Sequence, residues 1–570
     1  MNVRCIAVLI GAALVAGTFF ARGAEDETFA EIQGKISSFK LDNGLCVILF
    51  PRGYAPVVSC VTYVKVGSAD EVTGITGVAH QLEHLAFKGT ALVGTKDYAA
   101  EQKVLAELDV LYAKIQEFQS NLPAAAQGGF LSFLAKLSSG GPEAAPEKIA
   151  KTLAAMADAW GKQGLLHFPE GSPWLAELTE NVQHWAAKIQ DAEAFVNQNQ
   201  YAGIIDRAGG SGLNAFTSND RTVYFVSLPS TQLELWAALE SDRFMNLTPR
   251  QLEKEKQVVL EERRMRTDMS PFGKLYESFV STAFVAHPYA HAVIGHRADI
   301  LNYSREKVSE FYHSKYSTHN TVLCLVGGFD PAKAKEIVTN YFSKLPATPA
   351  PPEPHTQEPP QEGERRVDVE YAAQSLLLLG WHVPERNHPD TPALTVLSEV
   401  ASTGRTSRFY GKLIKTRLAL SASAWLGPGE RFPRLFCIDA TPSEGTSLEQ
   451  MEQALLEQVE GLKRDAPSAE ELQRVVTSWR ANLMRELKSN QRMAVGLADH
   501  EALDGDWHKL FTEIEAVAKV TPEQVVSVAR RYLTKNNRTV ARLVPTDAET
   551  PTILGVPAEP PKPETKKEEK

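Results

Sequence analysis

The stretch Thr73-Gly-Ile-Thr-Gly-Val-Ala-His-Gln-Leu-Glu-His-Leu-Ala-Phe-Lys-Gly-Thr90 decides how the rest of the chain reads. His80 and His84 stand four residues apart, which on a helix puts both imidazoles on one face, one turn apart. Two imidazoles so placed can share one tetrahedral zinc. Glu83 follows His80 by three residues and shares that face. From there it can reach a water beside the ion without binding the ion itself. Ile75, Val78, Ala79, Leu82 and Ala86 fall on the opposite side at helical spacing, a stripe suited to a core. A histidine pair alone would equally suit a buried helix with hydrogen-bonded imidazoles. A third ligand downstream separates the two readings.

The surrounding chain is that of a soluble globular protein. It has 570 residues, 43% hydrophobic and 23% charged, enough for two to four domains. A net charge of −10 argues against nucleic acid as the main partner, because phosphate binding needs basic surface. Residues 1–23 read as a secretory signal: Arg4, an apolar run from Ile6 to Phe20, then Ala21-Arg22-Gly23 as a small-x-small cleavage site. Retention of this segment as an anchor is the other option. No later apolar run is long enough to span a membrane. The expected location is therefore across the inner membrane, in the periplasm, with no stable membrane insertion after cleavage. Cys46, Cys60, Cys324 and Cys437 sit in apolar, strand-like runs and suggest small buried hydrophobes. Whether Cys46 and Cys60 pair is left open by the sequence.

Taken in order, residues 30–345 form a first domain. Phe39 to Phe50 contains the turn Asp42-Asn43-Gly44 and reads as a hairpin, and Val57 to Val66 reads as a strand. About 97–197 changes character. Leu175, Leu178, Val182, Trp185, Ile189, Ala192 and Val196 alternate three and four, like a coiled-coil seam. This block is expected to be a self-packed helical hairpin inserted into the domain, its helices joined by the small-residue stretch Ala124 to Ala145. Strands return between Gly212 and Leu228. Residues 346–365 are a Pro-rich linker, with seven prolines from Pro346 to Glu364. A second domain, 366–545, repeats the order of strands followed by helices, which suggests a duplication. The tail 546–570 is expected to be disordered, given the Pro, Glu and Lys that fill its end.

The third ligand is sought in Leu252-Glu-Lys-Glu-Lys-Gln-Val-Val-Leu-Glu-Glu-Arg263. Thr248 is read as its N-cap, Pro249 as the first helical residue and Gln251 as completing a capping box. At 100° per residue, Leu252, Val258, Val259 and Met265 mark a buried arc that contains Glu255 and Glu262. Glu253 lies off it and Glu261 on its flank. A carboxylate aimed into a core needs a partner or a metal. That selects Glu255 and Glu262 from a crowd of acidic residues.

His80-x-x-Glu83-His84 is the inverzincin order. With Asn214-Ala-Phe-Thr217, Asp220-Arg-Thr222 and Glu255-x6-Glu262 it resembles the pitrilysin family, which includes the mitochondrial processing peptidase β subunit and bacterial relatives. Pro288-Tyr289, Val293-Ile-Gly295 and Gly404-Arg-Thr-Ser-Arg408 also look like family features. The resemblance covers about 36–545 without the insert. It implies an α+β fold of two homologous domains, each a twisted, mainly antiparallel sheet packed with helices, facing across a cavity. It also implies a zinc endopeptidase acting on peptides or unfolded polypeptides. His80, His84 and Glu262 would hold one zinc, Glu83 would act as base, Glu255 would support from behind, and Asn214 and Ala215 would pair with the substrate. The chain departs from the family in the distance from His84 to Glu262, which the insert lengthens. A non-catalytic scaffold subunit is the competing class, but such members tend to lose the zinc residues, and all four stand here. A purely structural zinc would be closed by four ligands, and three are visible.

Self-sufficient relatives carry an arginine and, seven residues on, a tyrosine in the second domain, both directed at the substrate. Here those positions fall on Ile414 and on Leu420 or Ser421, while Arg417 and Tyr410 stand nearby in the wrong order. The resemblance therefore implies a heterodimer in which a homologous, zinc-free subunit supplies the pair. The natural substrate and the role of the insert are not legible.

Overall fold

The computed structural model describes residues 29–53, 55–138, 140–166 and 172–546. The signal segment and nearly all of the C-terminal tail lie outside the described residues.

Alternating and fully apolar strand runs build two sheets among the described residues. The first holds β1 (Ser37–Lys40), β2 (Cys46–Pro51), β3 (Val57–Val64), β4 (Ser211–Thr217), β5 (Thr222–Pro229) and β6 (Thr321–Gly327), in the order β1-β2-β6-β3-β5-β4. The second holds β7 (Arg365–Tyr371), β8 (Leu376–Val383), β9 (Ala419–Gly427), β10 (Arg434–Pro442) and β11 (Arg538–Pro545), in the order β7-β11-β8-β10-β9. Apart from β1 the two orders are the same: first strand, last, second, fourth, third. Each sheet has one parallel pair, β2 with β6 and β7 with β11, and is otherwise antiparallel. The duplication suggested by the order of elements is thus a duplication of topology. β1 and β2 form the hairpin expected around Asn43-Gly44, with Gly44 at φ +91.

The halves are joined by exchanged helices. Pro271–Ala283 belongs to the first half, between β5 and β6, but lies on the second sheet, where Leu275, Phe279 and Val280 pack with Leu378, Leu435 and Leu543. Asn490–Asp504 belongs to the second half but lies on the first sheet, where Met493, Leu497 and Ala498 pack with Ile48, Tyr63 and Cys324. Gly380 makes the first contact possible: a Cβ there would stand 2.4 Å from Phe279 Cζ. Neither sheet covers both of its faces with its own half.

Polar locks reinforce the exchange. Arg431 donates to both oxygens of Asp70 at 2.8 and 3.1 Å, and Tyr289, which donates to Asp220 at 2.6 Å within its own half, accepts the Phe432 amide of the other at 3.3 Å. The backbone amides of Glu430 and Arg431 also donate to Asp220, at 2.5 and 3.2 Å. Asp220 and Tyr289 in the family-like motifs are therefore devices that hold the halves together. The proline-rich connection 346–364 has no helix or strand, yet it is pinned where Glu358 accepts the backbone amides of Val285, Ala286 and His287.

The insert departs from the expected hairpin. Among the described residues it contains four α-helices, Tyr98–Ser120, Ala124–Ser138, Pro146–Lys162 and Pro173–Phe195. The stretch taken for a small-residue connection includes the second of them. Most of its alanines and glycines precede the buried Phe130, Leu131, Leu134 and Leu137. Ala124, Ala125, Gly128 and Gly129 are exposed and only Ala126 of its first six residues is buried, so its start has the composition of a loop. The insert has its own core, in which Tyr112 and Trp185 stack at 5.9 Å. Cys46, Cys60, Cys324 and Cys437 are free and buried, so Cys46 and Cys60 do not pair.

Candidate metal centre

The metal-site helix spans Val78–Leu85. No side chain of its own N-cap residue serves it, because that residue is Gly77 at φ +86. Glu71 takes that part from outside: its carboxylate accepts the Gly77 and Ala79 amides, both at 2.8 Å. A negative group at a helix N-terminus also suits the helix dipole. Burial pushes the Glu71 pKa up, against the two amide bonds. Gly77 and Gly295 meet back to back: a Cβ on Gly77 would lie 2.5 Å from the Ile294 carbonyl oxygen, and one on Gly295 2.3 Å from that of Thr76. That close approach fixes where the helix starts. Val78, Ala79 and Leu82 enter the core as their spacing predicts.

The second helix spans Leu252–Arg263 and differs from expectation at its start. Gln251, at φ +58, is the cap residue, not Thr248, and no capping box forms. Its side chain turns instead to the insert and donates to Glu193 at 2.9 and 3.0 Å. The buried arc is rotated as well. Val258 and Met265 are 45% and 57% exposed, because that side of the helix opens on a cavity. The covered face holds Leu252, Glu255, Lys256, Val259 and Arg263.

Glu255 and Glu262 nevertheless reach the histidines. Nε2 of His80 and of His84 stand 3.7 and 3.5 Å from Glu262 Oε2. Three donor atoms of His80, His84 and Glu262 lie within 4.8 Å of one another, and they are the only such group among the described residues. Two ligands about 2.0–2.1 Å from a tetrahedral ion stand roughly 3.3 Å apart, so this donor set fits a zinc. The separations exceed those of good hydrogen bonds. Behind the three, Glu255 Oε2 is 3.5 Å from His84 Nδ1, and Lys88 Nζ holds the other Glu255 oxygen at 2.7 Å. A carboxylate behind a ligating imidazole fixes its orientation. Glu262 Oε1 is held by Arg266 at 2.6 Å. The residue Glu261, by contrast, pairs on the exposed side with Arg264.

Electrostatics separate the two imidazoles. Burial, with His84 adding to it, lowers His80 to about 4. Burial also works to lower His84, but Glu255 and Glu262 outweigh it and hold it at about 9. Glu83 accepts a 2.6 Å hydrogen bond from Thr217 Oγ1, and burial raises its pKa against that bond. Thr217 lies in the Asn214-Ala-Phe-Thr217 motif, but no local spacing ties it to Glu83. Glu71 was not singled out at all, since no local pattern links it to residues 77 and 79.

β4 is the edge strand of the first sheet. The Ala215 amide is met by the Asn214 side-chain oxygen at 2.9 Å, on an edge that carries no strand partner among the described residues. A cavity of about 810 Å³ brings together His80, Glu83, His84, residues 214–217 and the exposed side of the Leu252–Arg263 helix. Every residue lining it comes from the first half.

This is the arrangement of a two-domain metallopeptidase fold, and comparison with known proteins places it. A family model described as insulinase (peptidase family M16) matches residues 47–120 and 194–297. A model described as the peptidase M16 inactive domain matches 302–478. The chain belongs to the pitrilysin, or M16, peptidase family. The gap between 120 and 194 falls within the insert. The chain is 29% identical over 401 residues to zinc protease PqqE of Helicobacter pylori, covering 68% of this chain and 87% of that one. It is 26% identical over 141 residues to the mitochondrial-processing peptidase subunit beta of Lentinula edodes, covering 24% of this chain and 30% of that one. The crystal structure of a protease from Helicobacter pylori matches with a TM-score of 0.67 at 25% identity, over 90% of this chain and all of that one.

Proposed function

We propose that this protein is a zinc-dependent endopeptidase that hydrolyses peptides or unfolded polypeptides. The observation that carries the reading is the convergence of His80, His84 and Glu262 within 4.8 Å, beside Glu83 and an open strand edge. His80, His84 and Glu262 would hold one zinc per chain. Bound there, zinc would polarise the scissile carbonyl and acidify a water. Glu83 takes the proton of the attacking water and passes it to the leaving amine. Thr217 holds one Glu83 oxygen and so sets the direction of the other. Glu255 keeps the His84 ring in place. Asn214 and Ala215 pair with an extended peptide laid along β4.

The chain acts, on this reading, as the metal-bearing subunit of a heterodimer. One observation and the family resemblance support it: the cavity is lined by the first half alone, and the arginine and tyrosine that the resemblance places in self-sufficient relatives fall here on Ile414 and on Leu420 or Ser421. The model described as an inactive domain matches 302–478, the end of the first half and most of the second, where the helix Thr391–Ser402 contains no histidine. That description is compatible with catalysis by the first half, so it favours the scaffold alternative only weakly against four intact site residues. A periplasmic location rests on the N-terminal signal pattern. Among the described residues no helix is long and apolar enough to cross a membrane. We further propose the division into a catalytic domain over 30–345, linker 346–365 and second domain 366–545.

The test is peptide cleavage by purified protein, alone and with its homologous partner, alongside metal analysis. The reading expects about one zinc per chain, hydrolysis that a chelator abolishes, and a large gain on adding the partner. Absence of bound zinc from correctly folded protein would overturn it.

A further inference from the structure

A buried guanidinium stands where the two ligand-bearing helices converge. Arg250 lies two residues before the glutamate helix and is 1% exposed. Arginine has five N–H donors in a rigid fork, and five acceptors meet them. Nε and Nη2 donate to the two oxygens of Glu101 at 2.5 and 2.8 Å. Nη1 donates to the carbonyls of Lys88 and Val93 at 3.1 and 3.2 Å, and Nη2 to that of Thr90 at 3.0 Å. Those three carbonyls belong to the loop that leaves the metal-site helix. Glu101, fully buried, comes from the first helix of the insert.

The loop is shaped for this group. Gly89 and Gly94 have φ of +108 and +91, and a Cβ on either would stand 3.1 or 2.9 Å from Arg250 Nη1. The path onward to the site is short. Lys88, whose carbonyl is held, places its ammonium on Glu255 at 2.7 Å, and Glu255 faces His84.

We infer that Arg250, neutralised by Glu101 of the insert, is a positioning residue that sets the spacing of the two helices and thereby the geometry of the His80–His84–Glu262 site. The inference rests on the zinc reading given above. The insert is then a brace for the metal centre and not a separate appendage, since its Glu193 also holds the cap residue Gln251 of the same helix.

The test uses the full chain with Arg250→Met, Arg250→Lys, Glu101→Gln and the double variant Arg250→Met/Glu101→Leu. Zinc affinity is read by chelator competition, and ligand geometry by the visible spectrum of the Co(II)-loaded protein. A purely structural role would move stability alone. Removing both buried charges together restores much of the stability that removing one destroys. The positioning role predicts that the double variant regains thermal stability but still binds zinc about tenfold or more weakly, the scale of losing a group that orients a metal site. Its cobalt spectrum also stays altered. Arg250→Lys, which keeps the charge and has fewer donors, falls between. If single variants fail to fold, the double and lysine variants carry the test. Folded variants with wild-type zinc affinity and cobalt spectrum would overturn the inference while leaving the zinc reading intact. Failure of the wild type to bind Co(II) would instead overturn the zinc reading, and this inference with it.

Discussion

The first and second halves share a sheet order, and besides β1 and the insert they differ in the helix that follows the second shared strand. Val78–Leu85 and Thr391–Ser402 both follow the second of the shared strands, β3 and β8, in chain order. The first carries His80, Glu83 and His84 toward a cavity and tolerates a buried Gln81. The second has Leu394, Val396, Leu397 and Val400 buried, with no histidine. Both sheets end on an uncharged edge strand, β4 or β9, but only the β4 residues line the cavity with the metal ligands. The fold is thus carried by the strand pattern common to both halves. The proposed chemistry rests on a few polar side chains that one half carries and the other replaces with hydrocarbon. Burying such groups is tolerated where Glu71, Glu255 and Thr217 supply partners.

The difference can be broken most sharply at Glu83. Glu83→Gln should make the first half as inert as the second, lowering peptide hydrolysis by about 10²–10⁴-fold, the usual worth of a general base. Zinc content and melting temperature should hardly move. Loss of zinc from this variant, by metal analysis, would show that Glu83 is a ligand. The next effect is on the ion. Glu262→Gln should weaken zinc by about a hundredfold or more, while Glu261→Gln, which only breaks an exposed pair with Arg264, should leave it unchanged. Equal zinc affinities would mean that the helix face has been misassigned.

The shared architecture can be tested by damaging the exchange. Phe279→Ala in one exchanged helix and Leu497→Ala in the other should each cost about 2–5 kcal/mol, as for large-to-small changes in a core. Because each helix covers the opposite sheet, thermal unfolding should stay a single transition in both variants. Two separated transitions would show that the halves are independent.

A pH-dependent lock joins the same surfaces. Burial alone would raise the Asp499 pKa, but Arg221 and Arg386 outweigh it and hold it below the usual carboxylate range. Arg386 and Tyr63 donate to Asp499 at 2.6 and 2.9 Å, and Arg221 also donates to it. A lowered folded pKa means stability that is fully present above the unfolded value and lost as pH falls through the folded one. Asp499→Asn should therefore cost about 3–5 kcal/mol at pH 7. Its disadvantage relative to wild type should shrink below about pH 4, the ordinary carboxylate range. A constant difference from pH 7 to pH 3 in denaturant titrations would remove Asp499 from the lock. The smallest effect belongs to the edge strands. Asn214→Ala should lower kcat/KM by about 2–10-fold, the worth of one hydrogen bond, without changing stability. The same change at Ser421 on β9 should be silent in the isolated chain. Equal losses at both edges would place substrate on both.

Much of this was legible because it is local. The histidine pair and the Asn43-Gly44 hairpin are written in spacings of two to four residues, and the structure reproduces them. The missed features have other causes. The start of the glutamate helix was misread because Thr248 and Pro249 suit a cap locally, whereas burial of Arg250 draws the chain elsewhere. Val258 and Met265 were counted as core because an apolar side chain on a cavity wall has the same periodicity as one in a core. The helix Ala124–Ser138 reads as a connection because Ala and Gly fill its exposed first turns, and its buried residues are concentrated in its second half.

By itself the sequence determined which residues are able to bind a metal, because ligand type and helical phase are properties of a few neighbouring positions. It also determined that the chain carries two related halves, because strand and helix patterns repeat in order. Only the tertiary structure decided that each half covers the other's sheet and that Glu71 caps the metal-site helix. It alone decided that Glu101 and Arg250, 149 residues apart, meet in the interior. The physical reason is common to all three. Burial of a helix face or of a charge is satisfied by whatever packs against it, and nothing in the local chain specifies which distant partner that is.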